Sequence, residues 1–500
     1  MANDITLVFV HGWSVTNLNT YGELPIRLRN EGRVAGIDID VRDIFLGQYI
    51  SFHDEVRLPD ISRAFQSAVN EQLGDIISAG RRFIAITHST GGPVMRDWSE
   101  RYKSQWPSFP MSHLIMLAPA NFGSALAQLG KARISRLASW FQGVEPGQGV
   151  LDWLELGSNE SWKLNKDWIQ SDGSGISANN FFPFVLIGQA IDRKFYDNLK
   201  SYTGELGSDG VVRSAGANLN ATYVLLKQLL PGVDNDTPVV ESDTAPRTAF
   251  RTVRHASHSG NEMGIMASEK ADVNDPLGAD TVNAIIRCMQ VATKENYYQL
   301  CDDFDNETAQ LQQEEQLEII EKGLIFRSKR YFIHDKYSMI IFRVCDAEGY
   351  PVRDYDLIFT SGPGNSPDQL PEGFFADRQR NSKNPETVTY YVNHDIMNGS
   401  PAIMDGDNVV RPAVEGVTDL GVQVVPRPNN GFVRYYPFEL QANSDFFNKV
   451  VSPNSTTLIE ICLQRLVDKN VFVLNGPVDA MTSDAAGDFK GIDPSGVNVG

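Results

Sequence analysis

At 500 residues the chain is longer than one hydrophobic core usually organises, so two domains are expected. With 42% apolar and 21% charged residues it has the make-up of a globular protein, which excludes wholesale disorder. A net charge of −19 argues against nucleic acid as a partner, because phosphate affinity comes from Lys and Arg, and it disfavours long-range attraction to anionic membranes.

The chain begins "MANDITLVFVHGW", with no cationic leader and no apolar core of signal-peptide length, and enters a strand at once. No apolar run approaches the roughly 18 residues needed to span a bilayer. A cytoplasmic location is therefore expected, with non-classical delivery left open. The four cysteines, Cys288, Cys301, Cys345 and Cys462, stand at neither metal-ligand nor redox spacing and read as buried free thiols.

Through residues 1–295, strand-like apolar runs alternate with helical stretches, which predicts an α/β fold with a mostly parallel sheet. The strand candidates are Ile5–Val10, Asp38–Val41, Phe83–Ile86, His113–Leu117, Phe182–Ile187, Ala221–Leu226 and Phe250–Val253. Between the second and third, "FQSAVNEQLGDIISAG" carries apolar residues at helical spacing and a closing Gly80. The stretch "NETAQLQQEEQLEIIEKG" reads as an exposed linking helix within 296–324, ended by Gly323.

Short, turn-bounded strands follow: "YSMIIFRVCD", "YDLIFTSGP", "ETVTYYVNHD", "GFVRYYPFEL", "TTLIEICLQRL" and "NVFVLNG". They predict a β-sandwich-like domain over 325–475. A flexible tail, 476–500, is rich in Gly, Asp and Ser. All seven tryptophans lie at or before Trp168, in keeping with two regions of different make-up.

The chemistry centres on "RRFIAITHSTGGPVMRDW", where a β-forming run stops at Thr87-His88-Ser89-Thr90-Gly91-Gly92 and turns into a helix. A serine there is either an N-cap or a nucleophile raised on a strained strand-to-helix turn. Gly91 fits the small position two residues after the nucleophile, whereas Thr87 occupies the position where Gly is usual.

Four further segments bring a family resemblance. "LVFVHGW" ends a strand at His11-Gly12, and Pro119 with Gly123-Ser124 looks like the "P..GS" segment of lipases. Ser208-Asp209-Gly210-Val211-Val212 is similar to their "DGxV" acid element, and His258-Ser259-Gly260 resembles their last catalytic element. Residues 1 to about 290 thus resemble the α/β-hydrolase lipase and esterase family; the β-rich region resembles no family.

The resemblance implies Ser89 as nucleophile, His258 as general base and Asp209 as its orienting acid, in the order of that fold. It also implies an oxyanion hole from the backbone N–H groups of Trp13 and Thr90. His255 and Asp192 are rival base and acid, and His11 reads as structural. No metal or cofactor is required; Asp302, Asp303, Asp305 and Glu307 lack the glycine and spacing of a calcium loop.

The 123–181 insertion holds Trp140, Trp153, Trp162 and Trp168, and its "KARISRLASWFQGV" forms a basic amphipathic pattern. It reads as a lid whose Trp140 and Phe141 engage lipid in a transient membrane contact, or as an ordinary cap helix. The expected substrate is a long-chain acyl ester, phospholipid ahead of neutral fat, and the chain also resembles phospholipase effectors delivered into rival cells. The alternatives are an esterase or thioesterase for soluble acyl compounds, and a degenerate hydrolase scaffold whose β domain binds a protein partner.

Overall fold

The computed structural model describes residues 3–11, 20–51, 53–130, 147–190, 207–229, 239–322, 328–427 and 432–467. Five strands appear where apolar runs predicted them: β1 (Asn3–His11), β2 (Ile37–Phe45), β3 (Phe83–His88), β4 (Met111–Leu117) and β5 (Phe182–Gly188). After β6 (Thr222–Lys227) and β7 (Val239–Thr244), β8 (Ala249–Val253) completes a six-stranded sheet of order β2-β1-β3-β4-β5-β8, parallel throughout.

Helices cover both faces of this sheet, which is why its central strands are continuous apolar runs rather than alternating ones. One face packs on the helices Leu58–Gln72 and Gly91–Tyr102 through Phe65, Val69, Met95 and Trp98. The other packs on Leu24–Val34, Ala279–Met289 and Lys294–Glu314 through Leu28, Ile285, Tyr297 and Phe304.

Two expected elements differ. The strand at Ala221–Leu226 forms, as β6, but it leaves the parallel sheet and enters a second one. That sheet runs Phe375–Arg380, Thr387–Asn393, Tyr337–Asp346, Thr456–Leu463, β6, β7. Its two inner junctions, on either side of Thr456–Leu463, are parallel and the rest antiparallel. Apolar side chains on both faces of β6 suit either sheet, so its own residues do not choose between them.

The expected linking helix also divides. Its first part ends the helix Lys294–Glu314, whose Tyr297, Leu300, Cys301 and Phe304 are core residues rather than an exposed bridge. The remainder, Leu317–Lys322, is a strand paired antiparallel with Ser328–Ile333. The aspartates of this helix are ion-paired along its length, Asp302 and Asp305 with Arg247 and Asp303 with Arg287.

The C-terminal β-rich region adds a three-stranded antiparallel sheet, Tyr355–Thr360, Asp419–Pro426 and Phe438–Asn443. Phe342, Val388, Ile461 and Val224 of the mixed sheet share a core with Phe359, Val422 and Phe438 of this one. The opposite face of the mixed sheet, through Tyr223, Met339, Ile341, Tyr391 and Leu458, packs on Phe122, Leu156 and Trp162 of the hydrolase-like region. The mixed sheet is therefore buried on both sides. "NVFVLNG" and the tail lie outside the described residues.

Candidate active site

Ser89 follows β3 directly and has φ +54, in the left-handed region that costs a non-glycine residue on the order of 1–3 kcal/mol. Hydrogen bonds hold it there: Ser89 N–H donates to the Leu117 carbonyl (3.0 Å), and the Ser89 carbonyl accepts from Gly92 (3.2 Å) and Ala120 (3.3 Å). The helix Gly91–Tyr102 starts two residues on. A Cβ on Gly92 would stand 2.6 Å from Pro119 Cβ, and one on Gly91 would stand 3.1 Å from Thr87 Cβ. Thr87 is thus accommodated because Gly91 has no side chain. Its hydroxyl is buried without a hydrogen-bond partner.

The structure brings Ser89, His258 and Asp209 together although they stand far apart in the chain. His258 Nε2 lies 3.1 Å from Ser89 Oγ, and His258 Nδ1 lies 2.9 Å from Asp209 Oδ2. His258 and Asp209 are fully buried and Ser89 is 8% exposed, so one member of the row meets the exterior. Asp209 Oδ1 accepts from the N–H groups of Val211 (3.0 Å) and Val212 (2.8 Å), which fixes the carboxylate plane. The His258 N–H donates to the Asp209 carbonyl (3.0 Å), so the two loops are joined by backbone as well as side chain.

Neighbouring motifs act as supports. Ser124 of the "P..GS" segment donates its hydroxyl to the Val211 carbonyl (2.7 Å), tying that segment to the Asp209 loop. Gly123 has φ +92, and a Cβ there would meet the Leu154 carbonyl oxygen at 2.4 Å. Arg96 and Asn165 add a buried network: Arg96 donates to Asn121 (3.3 Å) and Asn165 (2.9 Å), and Asn121 donates to the Ala217 carbonyl (2.7 Å). Burial pushes the Arg96 guanidinium down to about 9.

His88 was not singled out by sequence patterning, yet it touches the site. Its Nε2 lies 2.9 Å from the His258 carbonyl oxygen, so that nitrogen carries the proton and donates. The two rings are 4.6 Å apart, and burial together with His258 holds His88 well below the usual imidazole range. The available signal is its place immediately before Ser89 at a strand's C-terminal end.

The second region also reaches the loop that carries Asp209. Arg213 forms an ion pair with Asp377 (2.5 Å) and lies 4.1 Å over the Tyr391 ring. Tyr391, stacked on Tyr337 at 4.9 Å, donates its hydroxyl to the Gly207 carbonyl (3.2 Å). Gly207 has φ +71, and a Cβ on it would stand 2.6 Å from Tyr391 Oη.

His11 is fully built into the core, stacked on Phe45 at 4.2 Å with Nε2 2.9 Å from Asp43 Oδ1. His255 is exposed and away from Ser89's hydrogen-bonding row, whereas His258 lies in it. Thr90 is buried beside Ser89; Trp13, Asp192, Trp140 and Phe141 lie outside the described residues. The described part of the insertion is core: Trp153 and Trp162 are buried, and the helices Gln148–Leu154 and Asn159–Ile169 carry them. Among the described residues no group of three or more His, Cys, Asp or Glu could hold a metal, and no helix is long and apolar enough to cross a membrane.

Among solved structures, phospholipase PlaB from Legionella pneumophila is 42% identical over 95% of this chain and 97% of its own, with a TM-score of 0.81. The same phospholipase in complex with thio-NAD is 41% identical over the same shares, with a TM-score of 0.79. The mature Bacillus licheniformis lipase BlEst2 is 18% identical over 43% of this chain and 79% of its own, with a TM-score of 0.30. No protein-family model matches the chain, and no curated protein sequence does.

Proposed function

The chain belongs to the phospholipase family that includes PlaB, an ester hydrolase of the α/β-hydrolase lipase type, and from that premise we propose that it cleaves long-chain acyl esters of phospholipids through an acyl-enzyme on Ser89. The observation that carries this reading is the buried row Ser89 Oγ, His258, Asp209, with contacts of 3.1 and 2.9 Å.

A serine hydroxyl is a weak nucleophile at its own pKa. His258 Nε2 takes its proton as the ester carbonyl is attacked and returns it to the leaving alcohol. Asp209 keeps the imidazole in the tautomer with Nδ1 protonated and stabilises the imidazolium that forms. The Thr90 N–H, at the start of the helix after the nucleophile, and the Trp13 N–H are the proposed oxyanion donors. Water then repeats the sequence on the acyl-enzyme, with His258 as base, and releases the fatty acid.

Trp140 and Phe141 are proposed to engage the acyl layer in a transient contact with the lipid surface. PlaB's complex with thio-NAD leads us to propose, in addition, that a nicotinamide dinucleotide is a ligand of this chain. Calorimetric titration with thio-NAD tests that point, and absence of binding heat removes it.

The central test is an alkyl fluorophosphonate probe followed by peptide mapping, beside fatty-acid release from phosphatidylcholine and phosphatidylglycerol vesicles. Labelling confined to Ser89 and release of fatty acid are expected. Labelling with turnover of soluble esters alone would make the chain an esterase. A folded protein inert to probe and lipid would leave a binding scaffold.

A further inference from the structure

Cys345 and Cys462 stand 117 positions apart in the chain, and no spacing pattern links them. The mixed sheet nevertheless places them directly opposite each other. Tyr337–Asp346 and Thr456–Leu463 pair in parallel with Cys345 in register with Cys462. Their sulfurs are 3.1 Å apart, closer than unbonded sulfur atoms normally approach, and both residues remain thiols. Adjacent strands lie about 4.8 Å apart, inside the 4.4–6.8 Å Cα range that a disulfide spans.

From this juxtaposition we propose that Cys345 and Cys462 form an oxidisable dithiol pair, which a peroxide converts to a disulfide joining the two central strands of the mixed sheet.

The surroundings divide the roles. Cys345 is 3% exposed, whereas Cys462 is half-buried and reachable. The contact with Cys345, together with Lys227, in register with Cys462 on β6, and Lys166, holds Cys462 below the usual thiol range despite its burial and Glu460. The same contact and burial push Cys345 upward. Cys462, the more exposed of the two sulfurs, is therefore the one that peroxide reaches and the attacking sulfur, and Cys345 is the resolving one.

The Cys462 thiolate attacks one oxygen of hydrogen peroxide. The O–O bond breaks, hydroxide leaves and takes up a proton as water, and Cys462 becomes a sulfenic acid. Cys345 then attacks the Cys462 sulfur. The S–S bond forms, the S–O bond breaks, and the departing hydroxide carries away the Cys345 thiol proton as a second water. Two thiols and one peroxide give one disulfide and two waters, with both electrons passing from sulfur to peroxide oxygen. Because the bond closes a long loop that contains the entire three-stranded sheet, it constrains the unfolded chain and raises the melting temperature.

The other two cysteines are an internal control. Cys288 and Cys301 are buried, and burial pushes Cys301 up to about 12 and Cys288 well above the usual thiol range.

The native full-length protein is treated with hydrogen peroxide, then alkylated in denaturant and mapped without reduction. A Cys345–Cys462 linked peptide is expected, with Cys288 and Cys301 still alkylated and the intact mass reduced by two hydrogens. The treated protein should melt at a higher temperature, and dithiothreitol should abolish the gain. In a Cys345→Ser variant of unchanged circular dichroism, peroxide should drive Cys462 past the sulfenic stage to sulfinic acid, because no resolving thiol is present. Recovery of both cysteines as free thiols, linked protein that melts no higher than the reduced form, or a Cys345→Ser variant in which Cys462 stays reduced would each overturn the proposal.

Discussion

Among the described residues, two six-stranded sheets are built in opposite ways. The parallel sheet draws its strands from residues 3–253 and carries its candidate chemistry at their carboxyl ends, Ser89 after β3, Asp209 beyond β5 and His258 after β8. That is the edge where α/β sheets hold their ligands. The mixed sheet gathers strands from as far apart as Thr222 and Leu463, puts no member of the Ser89 row on its own strands, and buries both faces. Yet it supplies Asp377 and Tyr391, which grip the loop that holds Asp209. The difference teaches that, for the proposed chemical step, the reacting side chains and their support are divided between the sheets.

The division breaks most visibly if the parallel sheet loses its proposed reacting groups. Ser89→Ala and His258→Ala should each lower kcat on phospholipid vesicles by about 10⁴-fold or more, and Asp209→Asn by about 10⁴-fold, with circular dichroism unchanged. A folded Ser89→Ala protein that still turns over lipid would place the chemistry elsewhere.

Removing the support from the mixed sheet should cost less, and should cost stability as well as rate. Arg213→Met leaves Asp377 with Gln379 alone as a donor and removes the cation from the Tyr391 face, at about 3–5 kcal/mol for a broken buried pair. Asp377 is partly exposed, so the lower end is expected. Urea unfolding measures this directly, and kcat on a short soluble ester should fall alongside it. If stability drops while kcat is untouched, the second sheet merely packs against the acid loop.

A smaller effect separates the regions by pH. Glu269, in the segment after His258, has both carboxylate oxygens buried without a hydrogen-bond partner, and burial pushes it up to about 8. Between its ordinary value and about 8 the native state keeps a proton that the unfolded chain has lost, so this group makes stability fall as pH rises. From pH 5.5 to 7.5 the loss should be at most about 2.7 kcal/mol. Glu269→Gln should remove that slope and be the more stable protein at pH 7.5. Parallel stability curves for the two proteins would show that Glu269 is ionised in the fold.

The parallel sheet was legible in the sequence because each of its strands is a local apolar run ended by a turn, and because Ser89, Asp209 and His258 sit in short motifs whose order the fold prescribes. What escaped depends on partners distant in the chain. β6 has apolar residues on both faces and nothing local to say which sheet receives it. "LEIIEK" continues a helical pattern yet pairs as a strand with Ser328–Ile333. Cys345 and Cys462 were read as unrelated thiols, since parallel register between strands 117 positions apart leaves no spacing signature. The tryptophan-rich insertion reads as a lid or as an ordinary cap helix, since large aromatics serve either role; Trp153 and Trp162 are core, and Trp140 and Phe141 lie outside the described residues.

The smallest effect expected concerns His88, which stands in the parallel sheet as a support for the proposed base, His258. His88 directs its Nε2 proton to the His258 carbonyl, and burial together with His258 holds its own pKa well below the usual imidazole range, which favours the neutral ring. A neutral neighbour leaves the imidazolium of the transition state unopposed by a second positive charge. His88→Phe preserves the ring volume and deletes the donor, leaving a buried carbonyl without its bond, worth about 1–3 kcal/mol. Part of that loss should appear as displacement of the base, so kcat should fall roughly tenfold while KM stays within about twofold. His88→Gln, which restores an N–H donor on a side chain of similar reach, should recover most of the rate. The pH dependence of kcat should keep its shape in both variants, since His88 contributes no titration there. A His88→Phe enzyme with wild-type kcat would show that Asp209 and the backbone alone hold His258 in place.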